Sequence, residues 1–301
     1  MLSRDISLGI SLFTVLLCAL FGANAVAMKI SLSGLGVFTN IFLRFSISSL
    51  TILLWARWRG WPIMVANRRQ ARQITVVSLI FFCQMSGMYL GQNLTTASHG
   101  TLIANLLPFV VMLLAHLFLK DERMQLKKAA GLLLGFSGVL LLFLDTAHAG
   151  ASSWQGDSII FLAVLLWGCN VVFIKRIIAD FHPVQITVLP MLLNMPLFLA
   201  AALIFDKEMI STLSPPVIAA LLYQGLVTAS FGFIMWNTLI QRYGATALHS
   251  FIFIVPISGV TFGVLLLGEP FTMRLAGAIL LVSAALIVVN YRFAAKITKR
   301  G

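Results

Sequence analysis

Two aromatic–amide pairs stand at matching places in two apolar segments of the chain, Phe21 with Asn24 and Trp167 with Asn170. Each pair is three residues apart, so ring and amide share one helix face. Such an amide either binds a polar solute or bonds to a neighbouring helix, and the sequence leaves both readings open. Arg44 lies about eight residues into another apolar run, roughly 12 Å of helical rise from its start. An ionised guanidinium at that depth costs at least about 2.5 kcal/mol on insertion scales, so it must face protein or a wet cavity. It would either receive a carboxylate there or be held by backbone carbonyls. Tyr89 and Trp236 add amphipathic rings in further apolar runs, beside Gln84, Gln92, Gln224 and Asn237. The expected solute site is therefore Phe21, Asn24, Arg44, Tyr89, Trp167, Asn170 and Trp236.

The segments that must position these side chains are related to each other. Leu20, Gly22, Asn24, Val26 and Lys29 recur as Leu166, Gly168, Asn170, Val172 and Lys175, an offset of 146. Ala130, Gly131, Leu134 and Ser137 recur at the same offset as Ala276, Gly277, Leu280 and Ser283, and Pro108 and Asp121 correspond to Pro256 and Glu269 at 148. A repeated apolar unit with its polar residues in place is a common plan for membrane transporters.

Composition names the solvent. Of 301 residues 60% are hydrophobic and 10% charged, with mean hydropathy +1.00. Crossing ~30 Å of hydrocarbon takes roughly 20 apolar residues. On that scale the chain holds ten spans: 6–28, 36–56, 73–94, 101–119, 127–144, 157–178, 184–205, 216–239, 246–267 and 274–291. The expected fold class is all-α integral membrane, ten transmembrane helices as two inverted five-helix repeats. The repeats cover 6–144 and 157–291, with a linker at 145–156 and a basic cytoplasmic tail at 292–301. Inversion follows from the odd number of spans per copy. Of the 21 basic residues only Lys29, Lys207 and Arg274 fall on one side, with Arg44 inside a span and the rest on the other side. That bias places both termini in the cytoplasm of a cell whose inner membrane holds the protein. Residues 4–27 mimic a cleavable signal peptide, but the same pattern recurs mid-chain, so the segment reads as a retained helix.

The ten-span plan, the Arg44-Phe45 pair, Pro256 and the run LLLGEP at 265–270 resemble the drug/metabolite transporter superfamily. The stretch from Met235 to Pro270 is similar to the repeat typical of its EamA branch. The first half departs, with Leu119, Lys120, Asp121 and Glu122 where the second has Leu-Gly-Glu-Pro. The resemblance implies export or facilitated movement of small polar metabolites, amino acids being a frequent example, by alternating access at a central cavity. An uptake permease of the same fold is the alternative.

Other functions fit the residues less well. The net charge of +12 is spread between apolar segments rather than on one soluble face, so nucleic acid is not an expected partner. The expected partners are the lipid bilayer and a small neutral, zwitterionic or anionic metabolite, with the chain a monomer or weak homodimer. Cys18, Cys83 and Cys169 have no metal or disulfide spacing, the five histidines are scattered, and no phosphate-binding glycine loop is present. No cofactor and no enzymatic reaction are expected; a polytopic membrane enzyme is the remote alternative. The carboxylates sit at or beyond span ends, which argues against a proton-exchanged lipophilic cation as cargo.

Overall fold

The computed structural model describes residues 8–118, 126–149, 151–243, 248 and 251–290, and every extended regular element among them is a helix. In order these are α1 (Leu8–Leu32), α2 (Val37–Trp58), α3 (Arg68–Leu94), α4 (Ala97–Ala104), α5 (Leu107–Phe118), α6 (Leu126–Ala149), α7 (Ala151–Ile177), α8 (Pro183–Phe205) and α9 (Pro215–Leu222). A π-helical segment, Tyr223–Gly232, joins α9 to α10 (Phe233–Tyr243), and α11 (Ile254–Leu267) and α12 (Met273–Asn290) follow. Large apolar side chains such as Leu16, Leu133, Leu203, Ile204, Leu265 and Leu280 are exposed along them. Such a surface suits lipid and not water.

Seven stretches among the described residues are long and apolar enough to cross a membrane: Leu8–Leu32, Val37–Trp58, Arg68–Leu94, Ala97–Phe118, Ser153–Asp180, Pro183–Phe205 and Pro215–Trp236. Three further apolar helices are shorter, Ala129–Leu144, Ile254–Leu267 and Met273–Val289. These three coincide with the fifth, ninth and tenth spans expected from the sequence. Of the linker expected at 145–156, residues 145–149 and 151–156 are instead helical, since α6 runs to Ala149 and α7 begins at Ala151. Small residues suggested a loop there, but Ala-rich sequence carries no cost inside a helix.

The fourth span is two helices. The backbone of α4 ends at Asn105, and α5 restarts with Pro108 in its first turn. Pro256 likewise sits in the first turn of α11. Proline has no N–H to lose at that position, so both residues begin helices rather than kink them.

Neighbour relations fix where a site can form. Helix α1 lies against α11 and against α9 with the π segment; α7 lies against α4 and α5 and against α3. Helices α2 and α8 pack on each other, as do α6 and α12. Exchanging the two halves leaves these relations unchanged. At one end of α2 the α1–α2 connection pairs with the α8–α9 connection, Gly36 N–H donating to Met209 O and Ser211 N–H to Gly34 O, both at 3.0 Å. At its other end Gln185 Nε2 donates to Met64 O at 2.5 Å and Gln70 Nε2 to Asp180 O at 2.5 Å. Close crossings are made at glycines: a Cβ on Gly22 would meet Val255 O at 2.7 Å and Gly259 N at 2.8 Å, backbone atoms of α11.

The carboxylates of the second half hold helix starts of the first. Asp206, just past α8, accepts from Phe38 N at 3.2 Å and from Thr39 N and Thr39 Oγ1 at 2.8 Å, at the first turn of α2. Glu269 accepts from Ala97 N at 2.5 Å and from Ser98 N at 2.9 Å, at the first turn of α4. Unpaired N–H groups and the positive end of a helix dipole favour a carboxylate there. This gives the Leu-Gly-Glu-Pro run a physical role: Gly268, at φ 67°, closes α11 in the left-handed region, and the next residue caps a helix of the other half. Asp121, its counterpart in the first half, lies outside the described residues.

Candidate functional site

A continuous polar chain crosses the interior between α1, α2, α3 and the π segment. Arg44 Nη1 donates to Tyr89 Oη at 2.9 Å, and Tyr89 Oη donates to Gln224 Oε1 at 2.7 Å. Gln224 Nε2 donates to Ser31 Oγ at 2.7 Å and to the carbonyls of Ala27 and Ala220 at 3.2 Å. Ser31 Oγ also accepts from Asn40 Nδ2 at 2.5 Å. Tyr89, Gln224, Ser31 and Asn40 are buried. Helix spacing accounts for part of this: Asn40 and Arg44 are four apart on α2, so they share a face.

Arg44 is the charged member, and its surroundings are aromatic. Its guanidinium carbon lies 5.4 Å from the Phe45 ring centroid and 5.9 Å from that of Tyr89. The ion pairs among the described residues, Arg69 with Asp180 and His99 with Asp157, do not involve it. Its Nε is buried and has no hydrogen-bond partner among the described residues. Leaving a donor unsatisfied in a buried place costs about 1–3 kcal/mol, and more when it is charged. Among the described residues its hydrogen bond goes to a side-chain hydroxyl, a partner named by neither of the two readings the sequence leaves open.

The expected site residues fall into three groups. Arg44 and Tyr89 meet directly. Phe21, Asn24 and Trp236 meet around the π segment: the rings of Phe21 and Trp236 pack edge-on at 6.0 Å, and Asn24 Oδ1 accepts from Thr228 Oγ1 at 2.9 Å. Thr228 is one turn from Gln224, so these two groups share a wall. Asn170 stands apart, donating to Gln84 Oε1 on α3 at 3.3 Å while its Oδ1 has no partner. Trp167 is half-buried on the same helix. Each asparagine thus reaches a helix of the opposite half, Asn24 the π segment and Asn170 α3. Ser31, Asn40 and Thr228 were not among the expected residues, because Ser, Thr and Asn in apolar helices usually bond back to their own backbone.

A cavity of about 230 Å³ opens between α2, α8 and α10, walled by Ile52, Trp55, Trp61, His182, Phe233 and Thr238 among others. It begins at Ile52, eight residues beyond Arg44 and so roughly 12 Å further along α2. A second buried cluster stands at the start of α4 and α7: Asp157, fully buried, accepts from Thr95 Oγ1 at 2.5 Å and faces His99 Nδ1 at 2.9 Å. No group of three metal-ligating side chains occurs among the described residues.

Comparison with known proteins adds to this geometry. The model of the EamA-like transporter family matches residues 8–144 and 154–291. A probable amino-acid metabolite efflux pump of Escherichia coli is 25% identical over 287 residues, covering 91% of this chain and 93% of that one. An uncharacterised transporter of Bacillus subtilis is 21% identical over 275 residues, covering 91% and 94%. One crystal structure shares the fold at a TM-score of 0.67 and 18% identity, over 92% of this chain and 96% of the other.

Proposed function

The chain belongs to the EamA-like transporter family, and from that premise we propose that it moves small polar metabolites, amino acids among them, across the inner membrane by alternating access. The site is the polar seam of Arg44, Tyr89 and Gln224, with Asn24, Phe21 and Trp236 beside it. One observation carries this reading: a guanidinium inside the bundle that donates to a tyrosine hydroxyl, with a buried Nε that has no acceptor among the described residues. Intramembrane charges of this kind mark solute or ion pathways. The name of the Escherichia coli relative, an amino-acid metabolite efflux pump, fits a cationic site.

Ten crossings arranged as two inverted repeats are the architecture that goes with this function. The three short apolar helices supply the crossings beyond the seven long ones. Exchange of halves carries the loop contact at one end of α2 onto the loop contact at its other end. A reversal of direction between the copies accounts for this. The two halves then rock about the seam, and net flux follows the solute gradient.

Counterflow in proteoliposomes tests the function. Vesicles loaded with single amino acids, dipeptides or nucleosides are diluted into labelled solute. At least one class should give transient accumulation that empty-lipid vesicles lack. No accumulation with any member would overturn the proposal.

A further inference from the structure

We infer that Arg44 takes a carboxylate side-on through Nε and Nη2, and that Gln224, acting through Tyr89, is the positioning residue that presents that edge. The inference rests on the proposed transport function and narrows its cargo to carboxylate-bearing solutes.

Proton direction along the polar chain is fixed by backbone. Gln224 Nε2 faces the carbonyls of Ala27 and Ala220, which only accept, so its amide cannot be flipped. Gln224 Oε1 must therefore point at Tyr89, and the tyrosine hydroxyl must spend its proton on it at 2.7 Å. The remaining lone pairs of Tyr89 Oη accept from Arg44 Nη1 at 2.9 Å. With its proton held on Gln224, the hydroxyl keeps its lone pairs turned to the guanidinium, which only donates.

The consequence lies in which guanidinium nitrogen is taken. Nη1 points away from the edge shared by Nε and Nη2. That edge holds two parallel N–H bonds, the arrangement that matches the two oxygens of a carboxylate. In this conformation Nε on this edge is buried and, among the described residues, unpartnered. Among the described residues no carboxylate of the chain reaches it; Asp206 and Glu269 are committed to helix starts and Asp157 to His99 and Thr95. The acceptor assigned to this edge is a solute carboxylate. The Phe45 and Tyr89 rings beside the guanidinium suit a planar group.

The probes are the twenty L-amino acids and their amides, used as inhibitors of counterflow. In the wild type a transported amino acid should compete at least about tenfold better than its amide, since a hydrogen-bonded charge pair is lost. Tyr89→Phe removes one oxygen and keeps the packing. It should raise KM for the acid by about tenfold and narrow the preference for acid over amide. Gln224→Leu should do the same, and Tyr89→Phe stands in if that variant fails to fold. Arg44→Lys keeps the charge but not the edge, and should abolish the preference for acid over amide. Equal inhibition by acid and amide in the wild type, or a lysine variant that keeps the preference, would overturn the inference while leaving the transport function intact. Only the absence of all counterflow would remove both together.

Discussion

Removing the Asp157 carboxylate should be the costliest single change in its cluster with Thr95 and His99. Asp157→Ala strands His99 and the Thr95 hydroxyl in a buried place, and breaking such a pair costs about 3 kcal/mol or more. Thermal unfolding in detergent should show a large drop for Asp157→Ala and a smaller one for Asp157→Asn, which keeps an acceptor. Asn170→Ala should do little: its bond to Gln84 is 3.3 Å long, its Oδ1 is already unpartnered, and interhelical bonds in membranes average about 0.6 kcal/mol. At this scale the sequence was legible where the side chain itself was unusual. Arg44 and Tyr89 stand out as a charge and a phenol in apolar runs, and they do meet. Gln224 was visible as polar but not rankable, because its importance comes from the carbonyls of Ala27 and Ala220 that orient it. Asp157 read as a residue at a span end, whereas the crossing of α3 and α7 buries it completely.

Helices meet at obstacles that differ between the two copies, and single substitutions should expose the difference. A methyl on Gly22 would run into backbone of α11, whereas one on Gly168 would meet the side chains of Val110 and Leu114, which can shift. Gly22→Ala should destabilise by about 1–3 kcal/mol and Gly168→Ala by less, read as the shift in unfolding temperature. Repeat identity revealed that these glycines correspond but not what each one faces. Hydrophobic runs likewise revealed the helices but not their interior breaks. The halt at Asn105, the restart at Pro108 and the π segment at Tyr223–Gly232 all lie within stretches that read as single spans in the sequence. In the π segment Ser230 Oγ donates to Gly225 O, five residues back, at 2.8 Å. No periodicity in a sequence of this kind separates five-residue from four-residue bonding.

For the whole molecule, orientation is the expectation most open to direct measurement. Met64 lies exposed in the α2–α3 connection and Ile210 exposed in the α8–α9 connection. With Cys83 and Cys169 replaced by serine, Ile210→Cys should react with an impermeant maleimide in intact cells and Met64→Cys only after permeabilisation; Cys18 is buried. The reverse result would turn the protein over in the membrane. Charge placement made this expectation possible from sequence, because Lys and Arg sit in the connections where the bilayer allows them. How the halves hold each other was not legible, since the acidic residues look alike as span-end charges. Their partners make them unlike: Thr39 waits for Asp206 across 167 residues of sequence, and Ser98 for Glu269 across 171. During synthesis, then, the ribosome must release most of the second copy before α2 and α4 have finished starts. The first copy made alone should be a substrate for membrane proteases, and supplying the second from a separate message should rescue it.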